Sequence, residues 1–129
     1  YTGIANNKWI SLVDDTRNQA NPCIHGAEAA LSADTLHSGP LQAGTSDKAV
    51  TVPQIFLLDA TKSYAVCYAQ VDGTQTDEWR GTGIWLKISK LEFLSGLSVS
   101  HYTQGNLANH ASVVTTYSGS LANNMWMSH

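Results

Sequence analysis

The side chains with the greatest potential for chemistry in this sequence are two cysteines, Cys23 and Cys67. An even number of cysteines predicts one disulfide formed in an oxidising compartment, which would close a loop of about 45 residues and stabilise the fold by about 3–4 kcal/mol. The alternative is a pair of reduced, buried thiols that pack as small hydrophobic groups. We expect the disulfide, because low charge and many hydroxyl and amide side chains suit a secreted protein.

Other residues that can bind a metal or perform catalysis do not complete a known motif. Cys23 and His25 have the spacing of half a zinc site, but no second pair at the required spacing follows. Asp72, Asp77 and Glu78 form an acidic loop without the spacing of a calcium-binding loop. The common nucleophile, phosphate-binding and zinc-protease motifs are missing as well. We therefore expect no enzyme activity, no catalytic residue, no metal site and no cofactor.

The composition excludes several functional classes. Of 129 residues, 7 are Lys or Arg and 10 are Asp or Glu, so the formal net charge is -3, whereas a nucleic-acid binder shows a basic stripe. Hydrophobic residues make up 43% of the chain, which is too many for a disordered segment. No apolar run approaches the roughly 18 residues of a membrane span. Because the first residue is Tyr rather than Met, we expect a processed product or a section of a longer chain. The predicted disulfide and the low charge favour secretion to the extracellular space.

The elements that must position these residues are predicted to be β-strands. Short apolar or alternating runs bounded by turn residues are typical of strands, and they cover residues 8–13, 49–52, 54–58, 63–71 and 84–89. Residues 27–36 have helical propensity for one or two turns at most. Six or seven short strands separated by turns predict an all-β fold, an antiparallel sandwich.

A stretch that begins at Leu58 resembles the corner between two strands in immunoglobulin-like and fibronectin type III sandwiches. Leu58 precedes Tyr64 by six residues, and Val66 and Tyr68 continue on the same face of the strand. In these families the tyrosine ring fills the edge of the core and its hydroxyl bonds to backbone upstream. The resemblance, which extends to TIG-like extracellular repeat modules, implies an immunoglobulin-like sandwich. Cys67 follows Tyr64 by three residues rather than two, so the antibody disulfide geometry is not implied.

The two ends of the sequence repeat each other. Residues 5–11 and 122–128 share Ala, Asn, Asn, Trp and Ser at an offset of 117 residues. The match includes a rare residue, since Trp9 and Trp126 stand at equivalent positions. We therefore expect both tryptophans to fill the same kind of structural site.

The C-terminal part of the chain is too short to form a second core. We divide the chain into a β-sandwich module at 1–95 and a strand-donating tail at 96–129, which overlaps the start of a next repeat. Strands of this tail would expose an apolar edge unless a partner covers them. The residues expected to join modules are Trp9, Val99, Tyr102, Val113, Val114, Tyr117 and Trp126.

These features predict a structural subunit or repeat of an extracellular filament whose modules join head to tail through terminal strand segments. The partners are then copies of the same module, either within one polypeptide or as separate subunits. The alternative is a carbohydrate-binding or adhesive module of a larger secreted protein, in which an exposed Trp79 stacks on the sugar rings of a polysaccharide. A third possibility is a coat protein of a closed particle.

Overall fold

The computed structural model describes residues 5–53, 58–102, 106 and 113–126. Its strands form two antiparallel sheets, and the chain divides into two compact units, Tyr1–Ile88 and Ser89–His129. The predicted all-β, antiparallel class is thereby confirmed, since two such sheets are the components of an all-β sandwich. Among the described residues, no helix has both the length and the apolar character needed to cross a lipid bilayer.

The first unit contains a four-stranded sheet. Its strands are β1 (Trp9–Asp14), β2 (Leu41–Gln42), β3 (Ser63–Ala69) and β4 (Arg80–Lys87). They lie in the order β2-β1-β3-β4, and each neighbouring pair is antiparallel. β1 and β3 are therefore the central strands, and they carry most of the buried side chains.

The central strands bury both of their faces. Successive side chains of a strand point to opposite sides of a sheet, and β1 accordingly directs Leu12 into one hydrophobic cluster and Val13 into another. The first cluster contains Leu12, Tyr64 and Val66, with Leu58 packed against it. The second consists of Val13, Cys23, Ala29, Ala65, Cys67, Ala69 and Trp79. Side chains from loops cover both sides of this sheet.

Two short helical turns lie between β1 and β2, namely α1 (Arg17–Ala20) and α2 (Gly26–Ala29). In α1, Asn18 and Gln19 have left-handed backbone angles, with φ of 47° and 57°, so this element is a tight turn rather than a regular helix. α2 is a single turn that overlaps the beginning of the region 27–36, where the sequence predicts one or two turns. The prediction of a strand at 49–52 is wrong, because both Thr51 and Val52 are exposed and no neighbouring strand pairs with them among the described residues. Of the strand predicted at 54–58, residues 54–57 lie outside the described part of the chain.

The second unit contains a three-stranded sheet. Its strands are β5 (Leu91–Gly96), β6 (Val99–His101) and β7 (Thr115–Gly119), in the order β6-β5-β7. β5 and β6 form a hairpin through Leu97 and Ser98, whose φ angles of 51° and 65° match a two-residue turn of type I′. β5, which sequence analysis does not predict, lies within the proposed 1–95 module but pairs with two strands of the tail. The two units accordingly divide between Ile88 and Ser89.

Candidate functional site

The predicted disulfide between Cys23 and Cys67 is present, and the two Cα atoms lie 5.2 Å apart. Cys67 belongs to the central strand β3, and Cys23 lies on the loop that follows β1. Both residues are buried in the same hydrophobic cluster. The disulfide therefore attaches this loop to the middle of the sheet.

Tyr64 connects the first cluster to two upstream segments through its hydroxyl group. The hydroxyl accepts the backbone N–H of Asp59 at 2.6 Å and donates to the carbonyl oxygen of Thr35 at 2.8 Å. Burial raises the pKa of the Tyr64 hydroxyl above its usual range, so the group stays protonated and able to donate. Leu58 packs against the same cluster, while Tyr68 is half-buried. The contacts of Tyr64 with upstream backbone are of the kind that a tyrosine corner uses.

An ion pair between a buried carboxylate and a half-buried lysine joins the end of β1 to the turn before β3. Asp14 is buried, and its Oδ2 atom lies 2.5 Å from Lys62 Nζ. Burial by itself raises the pKa of the Asp14 carboxyl, but hydrogen bonds from Lys62 and Thr16 outweigh burial and lower it to about 2. The carboxylate is thus ionised at neutral pH and fully occupied by internal partners.

A second polar cluster surrounds His37, which is buried between two carboxylates. Its Nε2 lies 3.0 Å from Glu28 Oε1, and its Nδ1 lies 2.8 Å from Asp34 Oδ1. Glu28 also receives a hydrogen bond from Arg17, and this contact, with that of His37, lowers the pKa of the Glu28 carboxyl in spite of burial. Nothing in the sequence indicates this cluster, because its members are brought together only by the loop that carries them. Each polar group is paired with another of the cluster, which suits a role in holding this loop against β1.

The acidic loop after β3 is closed by a single carboxylate. Asp77 Oδ2 accepts the backbone N–H groups of Val71, Asp72 and Gly73 at 3.0, 2.8 and 2.9 Å. Burial raises the pKa of the Asp77 carboxyl, but these bonds and that from Glu78 lower it overall. Among the described residues, no group of three or more His, Cys, Asp and Glu side chains is arranged to hold a metal ion. Through its three backbone hydrogen bonds, Asp77 organises the loop.

Trp79, the candidate sugar-stacking residue, is only 4% exposed. Its ring belongs to the second hydrophobic cluster, and its Nε1–H donates to the carbonyl oxygen of Thr74 at 2.9 Å. The expectation that Trp79 is exposed is wrong, because the Asp77 loop folds over the sheet and carries the ring into the core. Its sequence neighbours Glu78 and Arg80 are charged, so the local sequence does not indicate that Trp79 is buried.

The exposed tryptophan of the first unit is Trp85 rather than Trp79. Trp85 is 63% exposed on β4, and its neighbours Ile84 and Leu86 are also exposed. β4 ends the order of strands in its sheet, so it pairs only with β3 among the described strands.

The first copy of the repeated segment contains a tight turn shortly before β1. Asn7 has a left-handed φ of 62°, which asparagine tolerates better than most residues. The Asn7 N–H donates to the carbonyl oxygen of Gly44 at 3.2 Å, and the Asn6 side-chain amide donates to that of Thr45 at 3.2 Å. This turn is therefore held by the loop that follows β2.

Trp9 lies directly after that turn and is half-buried. It stands opposite Gln42 of β2 and Ala69 of β3, and its ring packs against the second hydrophobic cluster. The ring lies so close to Gly73 that a Cβ atom there would approach it to 2.3 Å. Residues 42–45, Ala69 and Gly73 together form the surface that holds the segment, which we call the docking surface.

The second copy has the same backbone turn but lacks these contacts. Asn124 has a φ of 63°, and the turn includes Asn123 as the first copy includes Asn6. Trp126 is 98% exposed and Met125 is 56% exposed. Residues 127 and 128 of the copy lie outside the described part of the chain. Within the described residues, one segment is thus docked and its copy is exposed.

The remaining residues predicted to join modules lie on or beside the second sheet. Val99 is 53% exposed in β6, Tyr102 is 70% exposed after it, and Val114 is 76% exposed before β7. Val113 is half-buried, as is Tyr117, whose hydroxyl donates to the carbonyl oxygen of Ala122 at 2.8 Å. The structure places these residues on or beside several elements of the second unit.

Comparison with protein-family models, with curated proteins and with solved structures found no match. The feature of the chain that points most directly to a function is the repeated segment. The same turn and tryptophan occur once against a complementary surface and once in solvent.

Proposed function

We propose that the chain is a structural subunit or repeat of an extracellular filament, in which modules join head to tail. The observation that carries this proposal is the repeated segment, which has the same turn at Asn7 and Asn124 but a docked Trp9 and a 98% exposed Trp126. One part of the chain forms a surface that holds the segment, and another part carries a second copy of the segment. A contact between the surface of one module and the copy of another is heterologous, because it joins two different patches. Such contacts propagate into open linear assemblies unless the rotation between copies closes a ring.

The exposed copy contributes a driving force for association. An aromatic side chain of this size buries about 150–250 Å², which corresponds to about 4–6 kcal/mol before the costs of association are subtracted. Single exposed hydrophobic residues are common on protein surfaces. Trp126 differs from them because its turn already has the backbone conformation in which Trp9 is docked.

The second unit offers further apolar surface. None of its described residues is buried, and Val99, Tyr102 and Val114 are each more than half exposed. β6 and β7 are the outer strands of its sheet, and an outer strand can pair with a strand of another molecule. These features support a unit that is completed by contact with a neighbour.

Two observations support an extracellular, immunoglobulin-like module. The Cys23–Cys67 disulfide suits an oxidising compartment. The bonds from the Tyr64 hydroxyl to upstream backbone suit the corner found in immunoglobulin-like sandwiches. The alternative of a sugar-binding module loses its candidate residue, because Trp79 is buried.

The test is electron microscopy of the native protein together with its mass in denaturant. We expect fibres, and a denatured mass of 13.9 kDa would identify separate subunits, whereas multiples would identify repeats within one chain. Trp126→Ser should abolish the fibres without unfolding the protein, since its ring is almost fully exposed. Trp85→Ser is the matched control, because Trp85 is also exposed but lies outside the repeat, and it should leave the fibres intact. A monomer that never assembles contradicts the proposal, and closed shells favour a coat protein.

A further inference from the structure

We propose that the docking surface of one chain receives residues 122–126 of a second copy in place of its own residues 5–9. This inference rests on the proposed function and specifies the contact that joins the modules. The partner is a second copy of the chain, because its exposed segment repeats the one that the docking surface already holds.

The polar groups of the docking surface fit the second segment as they fit the first. The carbonyl oxygens of Gly44 and Thr45 accept from the Asn7 N–H and the Asn6 amide. Asn124 and Asn123 carry the same donors on the same turn. Trp126 then takes the position of Trp9 against Gly73, where the missing side chain leaves room for an indole ring.

The first half of β1 is less deeply buried than its second half. Trp9 and Ile10 are half-buried, and they pair with the two-residue strand β2 on one side and with β3 on the other. From Ser11 onward the strand is buried, and Asp14 is anchored by Lys62. Residues 5–9 can therefore leave the docking surface while the core stays folded.

The extent of the sequence match agrees with this division of the strand. The two copies match up to Ser11 and its equivalent Ser128, and then differ, with Leu12 in one and His129 in the other. Leu12 belongs to the first hydrophobic cluster, so the match ends where β1 enters that cluster.

One difference within the segment favours the chain's own copy. Lys8 donates from Nζ to the carbonyl oxygen of Gln70 at 2.7 Å, whereas Met125 stands at the equivalent position and has no such donor. Exchange is therefore reversible and concentration-dependent, because a tethered segment competes at an effective concentration in the millimolar range.

The experiment is a disulfide cross-link between two variants of the full chain. Trp9 stands opposite Gln42, so Lys8 stands opposite Ala43, whose N–H donates to the Lys8 carbonyl oxygen at 2.8 Å. A donor with Met125→Cys is mixed with a receptor that carries Ala43→Cys and Trp9→Ala, and the mixture is mildly oxidised. Facing residues on neighbouring strands are close enough for a disulfide after small adjustments, so we expect a linked pair of chains.

The matched control is a receptor with Ala60→Cys in place of Ala43→Cys, at an exposed position in the turn before β3. It should give no linked pair. A second receptor, which carries Ala43→Cys and keeps Trp9, guards against misfolding of the Trp9→Ala variant. It should give the same link, but at about 100 µM donor the yield should be lower by about tenfold, because its own tethered segment competes for the docking surface.

Absence of the link at Ala43, or equal linking at Ala60, overturns the exchange. If wild-type fibres form in that case, the proposed function stands without this contact. If the link forms at Ala43 but not at Ala60 and the wild-type protein forms no fibres, the proposed exchange is supported and the proposed filament function is contradicted.

Discussion

The two units of this chain are stabilised by different means. The unit Tyr1–Ile88 contains the disulfide, two clusters of buried hydrophobic side chains and the ion pair of buried Asp14 with Lys62. In the unit Ser89–His129 no described residue is buried, and the strands are held by backbone pairing and by partly exposed contacts such as the Phe93–Tyr102 ring pair. Small sheets need a covered hydrophobic face for independent stability.

This difference indicates where the free energy of folding is concentrated. The first unit has the internal contacts of an independent fold, and changes to its core should be costly. The second unit presents its side chains to solvent, and changes there should affect contacts with a partner more than folding. Hydrogen exchange can distinguish the two units, because it reports local stability for each strand.

The largest effect is expected from removal of the disulfide. Cys23→Ala combined with Cys67→Ala should lower the free energy of unfolding of the first unit by about 4 kcal/mol, because the link closes a loop between residues 44 positions apart. Hydrogen exchange of β3 amides should become faster by about 10³-fold, and that of β5 amides should not change. Equal acceleration in both strands would show that the units unfold together and would remove the distinction between them.

Acidification is expected to lower the stability of the first unit by an amount between those of the other two tests. The pKa of Asp14 is lowered in the folded protein from 3.8 to about 2, so the unfolded chain takes up a proton at this carboxyl at higher pH than the folded chain does. The resulting stabilisation is complete above the unfolded pKa and is lost as the pH falls from about 4 to about 2, by about 2 kcal/mol. Urea denaturation of the first unit across this range measures the loss.

The matched variant for the acid transition is Asp14→Asn. It should be less stable than the wild type at pH 7 and should show a weaker dependence on pH between 4 and 2. The pKa values of Glu28 and Asp34 are also lowered, in the case of Glu28 mainly by Arg17 and in the case of Asp34 by hydrogen bonds that outweigh burial. The carboxyl groups of Glu28 and Asp34 should therefore preserve part of the pH dependence of stability in the Asp14→Asn variant. An unchanged pH dependence in Asp14→Asn would contradict the assignment to Asp14.

The smallest effect is expected from a pair of hydroxyl deletions, one in each unit. Tyr64→Phe removes a buried hydroxyl and leaves the N–H of Asp59 without its acceptor, which should cost about 1–3 kcal/mol in thermal or urea unfolding. Tyr117→Phe removes an exposed bond to the carbonyl oxygen of Ala122 and should change stability by less than about 0.5 kcal/mol. Similar costs at both positions would contradict the contrast between the units.

Local patterns in the sequence were sufficient to locate the central strands. β1 and β3 fall within the runs predicted at 8–13 and 63–71, extended by one residue in β1, because an alternating or apolar run between turn residues depends mainly on its own side chains. The strand predicted at 49–52 is absent, although its pattern is equally regular. A strand also needs a partner and a buried face, which are supplied by residues distant in the sequence.

The same limitation applies to the tryptophans. Trp79 lies between two charged residues and is buried, whereas Trp85 lies between two apolar residues and is exposed. Their environments are decided by the loop that Asp77 closes and by the position of β4 at the end of its sheet. Neither feature has a signal in the residues next to the tryptophans.

The sequence by itself determined the all-β class, the pairing of its only two cysteines and the repetition of one segment at an offset of 117 residues. It also determined the turn in both copies, because an asparagine that tolerates positive φ stands at positions 7 and 124. Only the tertiary structure decided which copy is docked. A turn depends on its own residues, whereas docking of Trp9 requires β2 and Gly73, which the chain brings to that place only by folding.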